Sequence, residues 1–136
     1  MDSLDQFARQ VLDAQPFSRF LGTELTRADA EGVTMRLPIA DHHKQQHGFV
    51  HGGVLSYLAD NALTFAGGLA LGGDALTSEF KINYLKPAKG EHLEARAEAR
   101  GVGRRQAVCR CEIHAVENGK VTLCALALGT IVAASK

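Results

Sequence analysis

Residues 52–71, GGVLSYLADNALTFAGGLAL, limit how this chain can fold more than any other segment. Apolar residues recur at helical spacing, so the stretch reads as one long helix. Ser56, Asp60, Asn61, Thr64, Gly67 and Gly68 interrupt it. A membrane span needs about 20 mostly apolar residues, so this segment reads as a buried core helix. Gly72-Gly73-Asp74 stops it. Everything downstream has the two-residue period of strands: Phe80, Ile82 and Tyr84 share one face, Leu93, Ala95, Ala97 and Ala99 a second, and Ala107, Cys109, Cys111, Ile113 and Ala115 a third. Asn118-Gly119 is a hairpin turn before VTLCALALGTIVA. Four strands with no helix between them give an antiparallel sheet and an α+β class. The alanine-rich face of 92–101 leaves room for a helix to approach closely.

Upstream, Leu4, Phe7, Ala8, Val11 and Leu12 place an amphipathic helix over residues 2–14, within an N-terminal segment 1–15. Pro16 ends it, and FSRFLG adds a short turn. Residues 22–28 and 32–38 read as two strands joined at Ala30-Glu31-Gly32, and IADHHKQQHGFV as a polar loop. The whole chain, 1–136, is expected to be one domain, with a central helix at 52–71 and the main sheet strands within 75–133. Fifteen basic and fifteen acidic residues cancel, so no global field attracts nucleic acid or an anionic membrane. MDSLDQFARQVLDAQ has acids among its apolar residues and does not read as a signal peptide. Cys109, Cys111 and Cys124 are expected to be reduced core thiols of a cytoplasmic protein.

On a helical wheel Leu58, Ala62, Phe65 and Leu69 form one stripe, with Val54 and Leu55 at its upper end, and this stripe is expected to face the sheet. Gly53, Tyr57, Asp60, Thr64, Gly67 and Gly68 form the other face, which is small and polar where a solvated face would carry Lys and Glu. A second copy of the chain is therefore expected to cover it. At the helix start, unpaired N–H groups carry the positive end of the dipole, and Gly52 and Gly53 leave them unshielded. An oxyanion can approach there, while Asp60 supplies a carboxylate. The two are eight residues apart, about 12 Å along the axis, too far to meet within one chain. Antiparallel helices about a two-fold bring Gly52 of one chain opposite Asp60 of the other, which predicts a dimer with two shared sites.

HGFVHGGVLSYLAD, the strand order around it and FKINYLKPAKGE resemble the hotdog-fold acyl-CoA thioesterases, specifically the phenylacetate-degradation (PaaI-like) branch. The likeness runs from about residue 17 to 133. It implies a hotdog fold, an antiparallel sheet wrapped around one central helix, and hydrolysis of acyl-CoA to free acid and CoA. It implies no metal or separate cofactor, and homodimers that pair into tetramers. Carried over by position, Gly52 donates its N–H to the thioester carbonyl, His51 holds that end of the site, and Asp60 of the facing chain is base or nucleophile. Gln45 falls where the family places an Asn or Gln near the carbonyl or water, and Thr64 and Thr77 where a hydroxyl orients water or the carboxylate. The acyl group is expected near Gly53, Tyr57, Leu58, Phe49 and Val50, and the CoA phosphates near Lys86, Lys89, Arg104 and Arg105.

Three other readings are weighed at this point. His42, His43, His47 and His51 lie within ten residues and raise a hydrolytic zinc site, but Gly48 and Gly52-Gly53 argue against the helix that His47 and His51 would need to share a metal. A non-catalytic acyl-CoA-binding or assembly protein of the same fold would not need Asp60. A dehydratase would show a different His/Asp or Glu pairing, which is missing.

Overall fold

The computed structural model describes residues 3–134. Met1 and Asp2, at the head of the expected N-terminal helix, lie outside the described residues, as do Ser135 and Lys136. Two helices, α1 (Ser3–Asp13) and α2 (Pro16–Leu21), precede a hairpin of β1 (Glu24–Asp29) and β2 (Gly32–Pro38). A loop with a short 3-10 turn at Asp41–His43 leads into α3 (Gly52–Leu71), followed by β3 (Ala75–Tyr84), β4 (His92–Val102), β5 (Gln106–Glu117) and β6 (Lys120–Ala133). The six strands form one antiparallel sheet in the order β1-β2-β4-β5-β6-β3. The first strand starts two residues later than the sequence suggests. Gly22 is the left-handed C-cap of α2, at φ 93°, and so belongs to the helix end.

The sheet curls around α3. Register shifts occur in every pairing but β2–β4, at Leu25/Arg27, Thr77/Glu79, Ala99/Gly101 and Ile113/His114. Such bulges bend a strand and increase its twist. The inner face is built from small residues: Ala95, Ala97, Cys109, Cys111, Ala125 and Ala127 are all buried. Burial pushes the thiols of Cys109 up to about 11 and Cys111 up to about 12, so both are protonated core side chains. Leu55, Leu58, Ala59, Ala62, Leu63, Phe65, Ala66 and Gly67 of α3 are buried.

The expected division of α3 needs one correction. Gly67 belongs to the buried side. A Cβ there would lie 2.5 Å from Ile131 Cβ, so β6 packs directly onto the helix backbone. Leu69, expected on the sheet stripe, is only half-buried. Tight contact at Gly67 rotates the apolar face relative to a wheel drawn from hydrophobicity alone.

The helix start is fixed by its own residues. His51 is the N-cap, with extended backbone, and its Nδ1 accepts from the Gly53 N–H at 2.8 Å. The His51 N–H in turn donates to the His43 carbonyl at 2.8 Å. His43 is buried. Its Nδ1 accepts from the Ala40 N–H at 3.0 Å, so its Nε2 donates to the Leu21 carbonyl at 2.9 Å. Burial, and to a smaller degree His42, hold the His43 pKa below the usual imidazole range, against the Leu21 bond that favours the cation. A protonated ring would lose its acceptor for Ala40.

Two outcomes follow from these contacts. Gly67→Ala is expected to lower the urea midpoint: overpacking typically costs about 1–3 kcal/mol, against roughly 1 kcal/mol gained in helix propensity. Ile131→Val in the same chain should recover part of the loss, and a raised midpoint in Gly67→Ala alone would refute the contact. For His43, a depressed folded pKa means stability present above the unfolded value near 6.5 and lost as pH falls toward the folded one. The stability advantage of the wild type over His43→Gln should therefore shrink as urea titrations move from pH 7.5 to 5.5.

Candidate functional site

Asp60 sits half-buried on the side of α3 beside β3. Its Oδ1 accepts from the Thr77 hydroxyl at 2.6 Å. Thr64 Oγ1 lies 2.6 Å from Thr77 Oγ1, 2.8 Å from the Asp60 carbonyl oxygen and 3.5 Å from Asp60 Oδ1. Bonding back to the carbonyl four residues earlier is a common habit of helical threonine, and here it sets the Thr64 hydroxyl against Thr77. Both threonines that the sequence singles out thus meet the same carboxylate. The bulge between Thr77 and Glu79 leaves Ser78 as the extra residue of β3, beside the threonine that bonds Asp60. Among the described residues, Asp60 Oδ2 has no hydrogen-bond donor. The carboxylate is oriented by one oxygen and open at the other.

Gly52 is the first residue of the same helix, eight residues before Asp60. Its N–H has no hydrogen-bond acceptor among the described residues, whereas the Gly53 N–H is taken by the His51 cap. The unused donor at the helix start is therefore Gly52. Tyr84, at the far end of β3, lies over it: a Cβ on Gly52 would be 3.4 Å from Tyr84 Cζ. The Tyr84 hydroxyl donates to the Gly52 carbonyl at 3.0 Å and lies 2.5 Å from Ser56 Oγ. The sequence shows Tyr84 only as one member of a strand face and leaves Ser56 unassigned. The signal for both was the antiparallel run of β3 along α3, which pairs the last residues of one with the first of the other.

Gln45 closes the turn before the helix. Its Oε1 accepts from the His47 N–H at 2.5 Å, its N–H donates to the Phe49 carbonyl at 2.9 Å, and its carbonyl accepts from Gly48. Val50 is buried and its N–H donates to the Ala88 carbonyl. Phe49 is half-buried in an open cleft of about 400 Å³ with Lys86, Pro87, Lys89, Lys120 and Thr122. Tyr57 has a different part from the one expected. Its hydroxyl lies 2.6 Å from Ser18 Oγ and 2.7 Å from Thr23 Oγ1, and its ring meets Phe17 edge-on, so it fastens α2 to α3. Leu58 has no exposed surface and belongs to the core.

The basic residues separate into two groups. Lys86 and Lys89 follow the end of β3. Arg104 and Arg105 form the β4–β5 turn, where the Arg105 carbonyl accepts from Ala133, the residue paired with Ala75 at the start of β3. The two groups therefore stand at opposite ends of β3, as Tyr84 with Gly52 and Thr77 with Asp60 do. Of the clustered histidines, His43 has both ring nitrogens bound to backbone groups and His51 has its Nδ1 on Gly53. Among the described residues no three His, Cys, Asp or Glu side chains could hold a metal ion together.

The family model for the thioesterase superfamily matches residues 47–122, which takes in the helix start, Asp60, Thr64, Thr77, Tyr84 and the basic residues. A medium/long-chain acyl-CoA thioesterase of Escherichia coli, YigI, is 29% identical over 121 residues, covering 73% of this chain and 75% of its own. A thioesterase family protein from Silicibacter pomeroyi superposes with a TM-score of 0.87 at 29% identity, over 96% of this chain and 97% of that one. The PaaI protein of the Escherichia coli phenylacetic acid degradation operon shares the fold, with a TM-score of 0.82 at 24% identity over 96% and 92% of the two chains. An antiparallel sheet curled on one central helix, matched across these residues, makes the chain a hotdog-fold member of the thioesterase superfamily.

Proposed function

We propose that the protein is an acyl-CoA thioesterase whose two sites are each assembled from two chains. One observation carries this: a carboxylate oriented by Thr77 and Thr64, with one oxygen open, lies eight residues along the helix from the unused Gly52 N–H. Each is half of a hydrolytic site, and the rise of the helix keeps the halves about 12 Å apart in one chain. Among the described residues β3 is an edge strand, paired with β6 alone, and α3 is open beside it. A two-fold axis that sets β3 against its symmetry mate reverses the strand, so the Tyr84 end of one chain meets the Thr77 end of its partner. Gly52 then faces the partner's Asp60. The same operation brings Lys86 and Lys89 beside the partner's Arg104 and Arg105. One patch of four cations suits the phosphates of CoA, where each pair alone lies on a separate end of the monomer.

In this site the thioester carbonyl accepts from the Gly52 N–H and gains from the positive end of the α3 dipole as its oxygen becomes an oxyanion. Asp60 of the other chain takes a proton from water as the water oxygen adds to the carbonyl carbon and the C–S bond breaks, or attacks that carbon itself to give an anhydride that water then cleaves to free acid. Thr77 holds the carboxylate in place, and the CoA thiolate leaves. His51 acts as the cap that spends the Gly53 N–H and leaves Gly52 free. Gln45 shapes the turn that delivers His51. No metal or cofactor enters these steps, and three buried free thiols, Cys109, Cys111 and Cys124, fit a reducing cytoplasmic setting. A binding-only protein of this fold has no use for an oriented, half-open carboxylate. A pair of these dimers would make the tetramer expected from the resemblance.

Asp60→Asn should lower kcat for acyl-CoA hydrolysis by about 10²–10⁴-fold, the usual worth of general base catalysis, with the circular dichroism spectrum unchanged. Wild-type turnover in that variant would remove the assignment. The sharing of sites has its own test. Asp60→Asn and Gly52→Val chains, each inactive alone, are refolded together. Random pairing gives half mixed dimers with one intact site of two, so about a quarter of wild-type activity should return. A mixture as inactive as its components would show that the halves do not come from different chains.

A further inference from the structure

We infer that the acyl group of the substrate is held in the cleft between α1 and α3, and that α1 is the wall that sets acyl selectivity. The inference rests on the thioesterase reading of Asp60. The cleft holds about 100 Å³ and is lined on the α1 side by Phe7, Ala8 and Val11, and on the α3 side by Phe65, Gly68 and Leu69. Thr64 also lines it. That residue joins the cleft to the reacting centre, because its hydroxyl is 2.6 Å from the Thr77 hydroxyl that orients the Asp60 carboxylate. An apolar group leading away from a thioester at Asp60 therefore meets apolar walls within one side chain of the chemistry.

The residue types support a ligand here over simple packing. Phe7 is 44% exposed although it sits among apolar neighbours, and Leu69 and Val11 are half-buried. Gly68 keeps the floor low: a Cβ there would be 3.1 Å from the Gly73 carbonyl oxygen and 3.6 Å from Ala75 Cβ. The volume is smaller than the engineered cavity of about 150 Å³ that takes up benzene. It suits the end of a straight chain of a few carbons, or an aryl ring once α1 yields slightly. Gly73 and Asp74 line the cleft beyond Gly68. The anchoring of α1 fits this part. Ala8 and Leu12 are buried, Arg9 donates to the Leu25 carbonyl of β1, and so the helix is held by its β1 side while its α3 side stays loosely filled.

The test compares kcat/KM for hexanoyl-CoA and acetyl-CoA in the wild type, in Val11→Trp, which fills the cleft, and in Phe7→Ala, which removes an exposed wall and leaves the core intact. The ratio within each protein cancels general loss of activity. An acetyl group is too short to pass Thr64, so the hexanoyl preference is expected to fall at least tenfold in Val11→Trp and several-fold in Phe7→Ala, in the latter through KM. If the wild type hydrolyses these thioesters and the ratio is unmoved in Phe7→Ala and in folded Val11→Trp, the cleft assignment falls and the thioesterase reading stands. If the wild type hydrolyses no acyl-CoA from acetyl to lauroyl, both fall.

Discussion

The close approach of α3 to the sheet is the constraint on which the rest depends. A helix of twenty residues with apolar groups on more than half of its circumference needs a concave surface, and a flat sheet provides none. Curling requires bulges, and close approach requires small side chains beneath. The chain meets both needs, with register shifts in four of the strand pairings and Ala or Cys at most inward positions of β4 and β5. Gly67 lies against Ile131 with no room for a side chain. Because the backbone of α3 is held there, the positions of its start and of Asp60 relative to β3 are held too.

Polar groups can then be set with little freedom left to them. The Thr77–Asp60 bond depends on β3 lying along α3 at the register its bulge gives. The cap at His51 depends on a loop pinned through the His43 carbonyl, and His43 is itself tied to Ala40 and Leu21 by both ring nitrogens. The capping histidine removes one of the two exposed glycine donors from use. A helix start with a single free N–H beside an aromatic ring is a more selective partner for an oxyanion than a bare glycine pair.

Much of this could be read in the sequence because it follows from periodicity. The α+β class, the central helix at 52–71 and the turn at Asn118-Gly119 come from apolar spacing and turn chemistry, and the positions of Gly52 and Asp60 follow from helical rise. Thr64 is a turn away from Asp60, so it too was visible. The placement of Thr77 on the same carboxylate rested on resemblance, since a wheel says nothing about the neighbouring strand. What could not be read depends on contacts between distant segments. Gly67 is counted as polar-face by hydropathy, and only Ile131 shows that it is a contact residue. Tyr57 looks like a pocket wall until Ser18 and Thr23 are seen to claim its hydroxyl. Tyr84 and Ser56 are twenty-eight positions apart and share no pattern.

The helix dipole gives a reason for dividing the site between chains. A carboxylate on the first turn of α3 would be stabilised by the same N–H groups that must bind the oxyanion. The base would be weakened and the donor occupied before substrate arrived. Two turns along the helix, Asp60 is beyond that end effect, which falls off within the first turn, and takes its hydrogen bond from Thr77 instead. The cost is that neither end can act on a carbonyl alone. In the proposed dimer the reversed partner supplies the missing half, and the substrate enters between a free donor and a free carboxylate oxygen that have never neutralised each other. The position of the aspartate in the apolar run is thus set by two opposed needs: far enough from its own helix start to stay reactive, and near enough to the two-fold to reach the other.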